Sequence, residues 1–308
     1  MRHQGGIRFP VGSYTLPPQK AERTRMKGEE AQLARLRIAV DARLAALLPP
    51  PATAPLLLTA AMRHAVLAPG KRLRPVLTLL AARCLDGSEA TALDPACAVE
   101  MVHAASLVLD DLPCMDDAPL RRGLPSTHAR FGEDVAVLAA VALLNQAYAV
   151  IARAPGVAEG ARLRMIGALS EAIGVGGLVG GQEDDLRGDG HETLATLRDV
   201  HHRKTGVLFM AAVEIGARSA GAEEPVVEAL KRFAAELGLA FQALDDLDDG
   251  LEDKAGAADT ASSVLALLGK DGARREADRR LDAAKAALSD GGARLEPIGR
   301  YVDLILSR

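Results

Sequence analysis

The chain of 308 residues has no tryptophan, only three tyrosines and five phenylalanines, so aromatic residues make up 3% of it. Few π faces are available to hold a cation or stack on a ring. Cysteine is also scarce: Cys84, Cys97 and Cys114 lack metal-ligand spacing, and as free thiols they fit a reducing cytosol. No N-terminal stretch carries the basic start, apolar middle and small-residue cleavage site of a signal peptide. The longest apolar run, Val135 to Ala152, is broken by Asn145 and Gln146. It falls short of the roughly 20 residues a spanning helix needs, and reads as a buried core helix. A net charge of -4 suggests neither nucleic acid nor an anionic membrane as partner. These absences describe a soluble cytoplasmic protein with no integral membrane segment.

Apolar residues are plentiful, at 49%, and after the first stretch they recur at helical spacing almost throughout. Residues 1–27 hold Gly-Gly, Pro-Pro and scattered basic residues without periodicity, and read as a disordered tail, with Met26 a candidate natural start. The spacing predicts helices over 28–48, 54–68, 73–86, 90–111, 134–153, 158–175, 193–219, 224–249, 271–290 and 296–307. Breaks between them carry Pro and Gly, as in "LPPPATAP" and "RGDGHE". No convincing strand pattern appears. The expectation is an all-α single domain over 28–308, built as a large antiparallel helical bundle.

Two acidic clusters interrupt this apolar pattern. "DDLPCMDD" holds Asp110, Asp111, Asp116 and Asp117, and "DDLDD" holds Asp245, Asp246 and Asp249. Each is expected at a helix C-terminus, where the helix dipole disfavours anions, and like charges three or four apart destabilise a helix. A solvated acidic surface accounts for one such cluster well enough, but less well for two. Pro113 disturbs the last turn of the first helix, and a bulge at "LPCM" would bring Asp110 and Asp116 together. Carboxylates suit a hard divalent cation, and Mg²⁺ shared with a phosphorylated ligand fits better than Ca²⁺, whose loop spacing is absent.

The basic residues point to the same ligand. "APGKRLRP" places Lys71, Arg72 and Arg74 at a helix start, "RRG" supplies Arg121 and Arg122, and "HHRKTG" supplies Lys204 and Thr205. Singly each is a surface charge. Together they suggest two diphosphates, one held through Mg²⁺ and one by Arg and Lys alone.

At this point the chain resembles the trans-isoprenyl diphosphate synthases (the polyprenyl synthetase family), most closely the bacterial geranylgeranyl diphosphate synthases of carotenoid pathways. The likeness runs from about Lys27 to the C-terminus. It rests on "DDLPCMD" and "DDLDD" occurring with "GKRLRP", "RRG", "GGQ", "KTG" and "FQ" in the family's order. The resemblance implies helices around a deep apolar cavity, a homodimer, and condensation of isopentenyl diphosphate with an allylic diphosphate of five to fifteen carbons. It makes Asp110, Asp116 and Asp245 Mg²⁺ ligands, supported by Asp111 and Asp249. Arg121, Lys204, Thr205 and Gln242 align with contacts to the allylic diphosphate, and Lys71, Arg74, His103 and Arg122 with contacts to isopentenyl diphosphate. Asp110, Asp116, Arg121, Lys204 and Asp245 carry the catalysis.

Val102, Ala105 and Ser106 lie one turn and more before Asp110 and are expected at the cavity floor, where they would set chain length. Family members that stop at fifteen carbons tend to have an aromatic residue at the Ala105 position. Alanine there favours a C20 product over C15. One departure stands out: segment 250–269 is shortened, and Ala261 or Ser262 stands where the family has a lysine. That change is the sole support for a non-catalytic partner subunit, and both aspartate motifs argue against it. A terpene cyclase is disfavoured by the missing aromatics.

Overall fold

The computed structural model describes residues 18–188, 193–252 and 263–306. Within these the chain is helical almost throughout: α1 Pro18–Leu47, α2 Leu56–Leu67, α3 Leu73–Cys84, α4 Glu89–Asp110, α5 Thr127–Phe131, α6 Glu133–Ala152 and α7 Glu159–Ile173. There follow α8 Leu178–Arg187, α9 Leu194–His201, α10 Val207–Ser219, α11 Glu224–Glu252, α12 Val264–Asp290 and α13 Glu296–Leu306. A π-turn, His202–Gly206, joins α9 to α10, and a 3-10 turn, Ala293–Leu295, precedes α13. The all-α expectation holds. α1 begins ahead of the expected start at residue 28, and residues 1–17 lie outside the described part.

α4 is the central rod, packed against α3, α6 and α10, while α11 packs on α10 and α12. Its start is set by Ser88, whose side chain accepts from the Ala90 N–H, an N-cap that satisfies one otherwise unpaired donor. Small residues let the inner helices approach closely. A Cβ on Gly216 of α10 would sit 2.2 Å from the Thr78 carbonyl of α3, and the Thr78 hydroxyl donates to the Ala212 carbonyl at 2.9 Å.

Three sequence expectations need correction. α6 is not a buried core helix: Val137, Leu138 and Val141 are exposed, the last two at 57% and 59%. The helix is apolar all round, and a single chain covers only one side of it. By length and composition alone α4 and α6 are apolar enough to cross a membrane, yet most of α4 is enclosed by the bundle. Second, the aspartates of the second cluster do not end their helix, because α11 runs on to Glu252. Third, "GGLVGGQEDDLR", which falls between the expected helices 158–175 and 193–219, contains α8. α12 also begins earlier than expected and bends at Gly269, whose φ is 67°.

Candidate active site

A cavity of about 750 Å³ opens between the ends of α3, α4, α8, α10 and α11. It is lined by Lys71, Arg74, His103, Ser106, Asp110, Asp116, Arg121, Arg122, Lys204, Thr205, Gln242 and Asp245, residues from motifs that lie far apart in the sequence. A second, mainly apolar cavity of about 520 Å³ shares Ser106, Asp110, Leu178 and Gln182 with it. Leu109, Met115, Val179 and Leu186 complete its apolar walls.

The acidic wall begins where α4 stops. Beyond Asp110 the chain folds back so that the Asp116 N–H donates to the Asp110 carbonyl and the Asp117 N–H to the Leu112 carbonyl. This tight return is the bulge expected at "LPCM". Burial, reinforced by the neighbouring Asp116 charge, pushes the Asp110 carboxyl up to about 6 against the pull of Lys204 and Arg121. Asp245 joins the cavity from α11. Asp111 is placed differently: it is 2% exposed, does not line this cavity, and accepts from Arg121 Nε at 2.9 Å. Following Asp110 by one residue, it leaves the helix on another side and serves as counterion to that arginine. Asp249 lies on α11, its side chain outside the described residues, as are Lys254, Ala261 and Ser262.

Arg121 sits on a hairpin formed by β1 Leu120–Arg121 and β2 Leu124–Pro125. Its turn residues Arg122 and Gly123 have φ of 54° and 76°, the pair of positive values that a two-residue hairpin loop requires. Arg122 reaches back to donate to the Pro69 carbonyl at 3.1 Å.

Arg74 and His103 form the buried cationic pocket. Arg74 lies over the Phe209 ring, 4.4 Å from its centroid, with Nη1 3.4 Å from His103 Nε2. Burial lowers Arg74 to about 10, so it stays charged at neutral pH. Burial, and after it the surrounding arginines, push His103 well below its usual range, leaving a neutral ring whose Nε2 accepts from Arg74. Arg74 Nε is buried without a protein partner, and Lys71 Nζ lies 6.0 Å from the Phe241 ring centroid.

Lys204 and Thr205 are presented by the π-turn. α8 presses directly on that turn at Gly181, where a Cβ would stand 2.4 Å from the Lys204 backbone nitrogen. Lys204 is ion-paired with Asp185. Burial lowers its pKa, but Asp185, Asp110 and Asp116 outweigh that and hold it raised. The Thr205 hydroxyl donates to Gln242 Oε1 at 3.1 Å. Gln242 Nε2 donates to Asp246 at 2.9 Å, and Asp246 accepts the Val264 N–H at 2.8 Å. Asp246 thus closes a relay into the start of α12.

Of the three expected floor residues only Ser106 lines the cavities. Val102 and Ala105 are 1% and 0% exposed and pack in the core behind it. The motifs overlooked Glu100, a buried carboxylate on the cavity wall, and the structural part played by Arg72. A lone acid in the apolar run "CAVEMVHAA" was the available signal.

Among the described residues no three potential ligands close around a metal ion by themselves. The donor set nevertheless fits a hard cation: Asp110 and Asp116 face the same space as Asp245, and burial, with the Asp116 charge added, already costs Asp110 its ordinary acidity. Such a site would leave the remaining coordination to water and phosphate oxygens, as Mg²⁺ prefers.

The polyprenyl synthetase family model matches residues 55–261. The chain is 49% identical over 236 residues to a geranylgeranyl diphosphate synthase of Pantoea ananas, covering 75% of this chain and 78% of that protein. It is 44% identical over 268 residues to the geranylgeranyl diphosphate synthase of Pseudescherichia vulneris, covering 84% and 87%. An FPP/GFPP synthase from Zymomonas mobilis superposes with a TM-score of 0.79 at 34% identity, over 89% of this chain and 98% of that one. With its acidic wall, cationic pocket and apolar extension carried on that fold, the chain belongs to the polyprenyl synthetase family.

Proposed function

We propose that the protein is a trans-prenyltransferase that joins isopentenyl diphosphate head-to-tail to an allylic diphosphate and releases geranylgeranyl diphosphate, a C20 product. The carrying observation is one cavity with two unlike ends, an acidic wall at Asp110, Asp116 and Asp245 and a buried cationic pocket at Arg74, opening into an apolar chamber. Phosphorylated heads and a hydrocarbon tail thus have separate berths.

In this reading the allylic diphosphate lies between Arg121, Lys204, Thr205 and Gln242, while Lys71, Arg74, His103 and Arg122 hold isopentenyl diphosphate. The allylic C1–O bond breaks and its electron pair leaves with diphosphate. Lys204 and Arg121 stand where that negative charge develops and favour the departing anion. Mg²⁺, held by Asp110, Asp116 and Asp245, with Asp111 orienting Arg121 and Asp249 in support, supplies further charge neutralisation when bound. The fixed cationic pocket aligns the isopentenyl double bond for attack on the allylic cation. The attack leaves a tertiary cation at C3 of the isopentenyl unit, and a proton then leaves the neighbouring C2, its C–H electron pair forming the new C2=C3 double bond. The proton passes to the released diphosphate, since no side chain among the described residues is an evident general base. The tail grows past Ser106 into the apolar chamber.

The exposed apolar face of α6 supports a homodimer. The charge balance gives no reason to expect nucleic acid among the partners, and the three free cysteines suit a cytoplasmic location. The test is product analysis: purified protein with Mg²⁺, labelled isopentenyl diphosphate and each of the C5, C10 and C15 allylic diphosphates. Mainly C20 product is expected. A folded protein that condenses no starter would overturn the proposal.

A further inference from the structure

The cationic pocket contains one arginine whose guanidinium is held by the protein itself. Arg72 lines the cavity at its inner edge and is 5% exposed. All three of its guanidinium nitrogens are engaged, and by three different parts of the chain. Nε donates to Asp41 of α1 at 2.7 Å, Nη1 to Glu100 of α4 at 2.8 Å, and Nη2 to the Ala68 carbonyl at 2.9 Å. No guanidinium nitrogen is left without a protein acceptor.

The backbone at Arg72 is as unusual as its partners. It has φ 50° and ψ 36°, a left-handed conformation that a side chain with a Cβ adopts only where its surroundings enforce it. This is the residue between Lys71 and the first turn of α3, which carries Arg74. Relaxing it to right-handed geometry would swing Lys71 relative to Arg74. The same turn also holds Arg122, through the Pro69 carbonyl and through Gly70, where a Cβ would come 2.4 Å from Arg122 Nη1.

Glu100 is the complement. It is 3% exposed and, besides bonding Arg72, its charge favours the cationic forms of Arg74 and Arg122. A buried carboxylate among three buried or half-buried arginines offsets part of their mutual repulsion.

We infer that Arg72, clamped by Glu100 and Asp41, is the positioning residue of the isopentenyl diphosphate pocket, fixing the turn from which Lys71, Arg74 and Arg122 converge. This rests on the assignment of that pocket under Proposed function. Lysine cannot replace it, since a single ammonium on a flexible stem cannot meet three acceptors in the plane of a guanidinium.

The test measures KM for each substrate separately, the other saturating, on the intact enzyme. Arg72→Lys and Glu100→Gln are expected to raise KM for isopentenyl diphosphate about tenfold or more and to leave KM for the allylic diphosphate within about twofold. A merely structural role would move both constants together, or lower kcat alone, and either result overturns the inference. Asp41→Asn guards against failure to fold, because the Asp41 side chain is 53% exposed. It should shift the same constant in the same direction by less, and no shift would overturn the inference even if the buried variants do not fold. Lys71→Ala, run in parallel, reads the pocket assignment. If it leaves the isopentenyl constant unchanged, that assignment fails; if it raises the constant and the Arg72 and Asp41 variants do not, only the positioning role fails.

Discussion

The backbone N–H of Asp116 donates to the carbonyl oxygen of Asp110 at 2.9 Å, and this bond turns two carboxylates six residues apart toward one wall. Charge on this wall is unfavourable chiefly because it is buried, and the Asp116 charge adds to the rise of the Asp110 carboxyl. Asp110→Asn and Asp245→Asn should each lower kcat/KM by about a hundredfold or more, since they remove charge that organises the departing diphosphate. Without substrate or Mg²⁺, Asp110→Asn should melt at a higher temperature than the parent at pH 7.5, because a carboxylate whose charged form burial disfavours is gone. Steady-state kinetics and thermal melts of the same preparations read both effects.

His103 should impose a pH dependence on stability. Its folded pKa lies below the ordinary 6.5, so below about pH 6.5 the unfolded chain binds a proton that the folded chain refuses. Stability contributed by the neutral ring is complete above that pH and falls as the solution is acidified. The slope from this one group is at most about 1.4 kcal/mol per pH unit. Urea unfolding between pH 5 and 7.5 should show a shallower acid limb for His103→Gln than for the parent.

Chain length should respond at Ser106. It stands at the junction of the two cavities, its hydroxyl turned back to the His103 carbonyl at 2.9 Å. Ser106→Phe should place a ring across that junction and move the main product from C20 to C15. Chromatography of the dephosphorylated products reads the shift, and unchanged C20 would place the limit elsewhere.

The uncovered face of α6 should be an interface. Leu138→Asp and Val141→Asp place charge on two of the exposed positions, three residues apart and so on one face of the helix. Sedimentation velocity should show the parent as a dimer and each variant shifted toward monomer, with far-UV circular dichroism unchanged.

Helical periodicity made the bundle legible, because most apolar positions face one core. α8 was hidden by Gly177, Gly180 and Gly181, which look like breakers in isolation. In the fold Gly181 permits contact with the Lys204 backbone, a reason that exists only in three dimensions. The π-turn at His202–Gly206 was equally invisible, since the apolar pattern runs through it into α10. The aspartates and cations that line the cavity were legible as chemistry out of place in an apolar chain. The pairing of Asp111 with Arg121 was not legible, because adjacency in sequence suggested a role shared with Asp110, whereas one step along a helix turns the side chain to a different neighbour. Arg72 was read with Lys71 and Arg74 as one basic run, and only the left-handed turn and its three acceptors separate them.

The run of hydrogen bonds from Thr205 through Gln242 and Asp246 to the Val264 amide gives the protein a listening post. A ligand that drew the Thr205 hydroxyl to itself would free Gln242 to turn, and the pull on Asp246 would change with it. The Val264 amide proton would register the event as a change in its exchange with solvent. Residue 264 is remote in sequence from every group that touches the chemistry on α4, yet it is linked to the pocket through one unbroken chain of donors and acceptors.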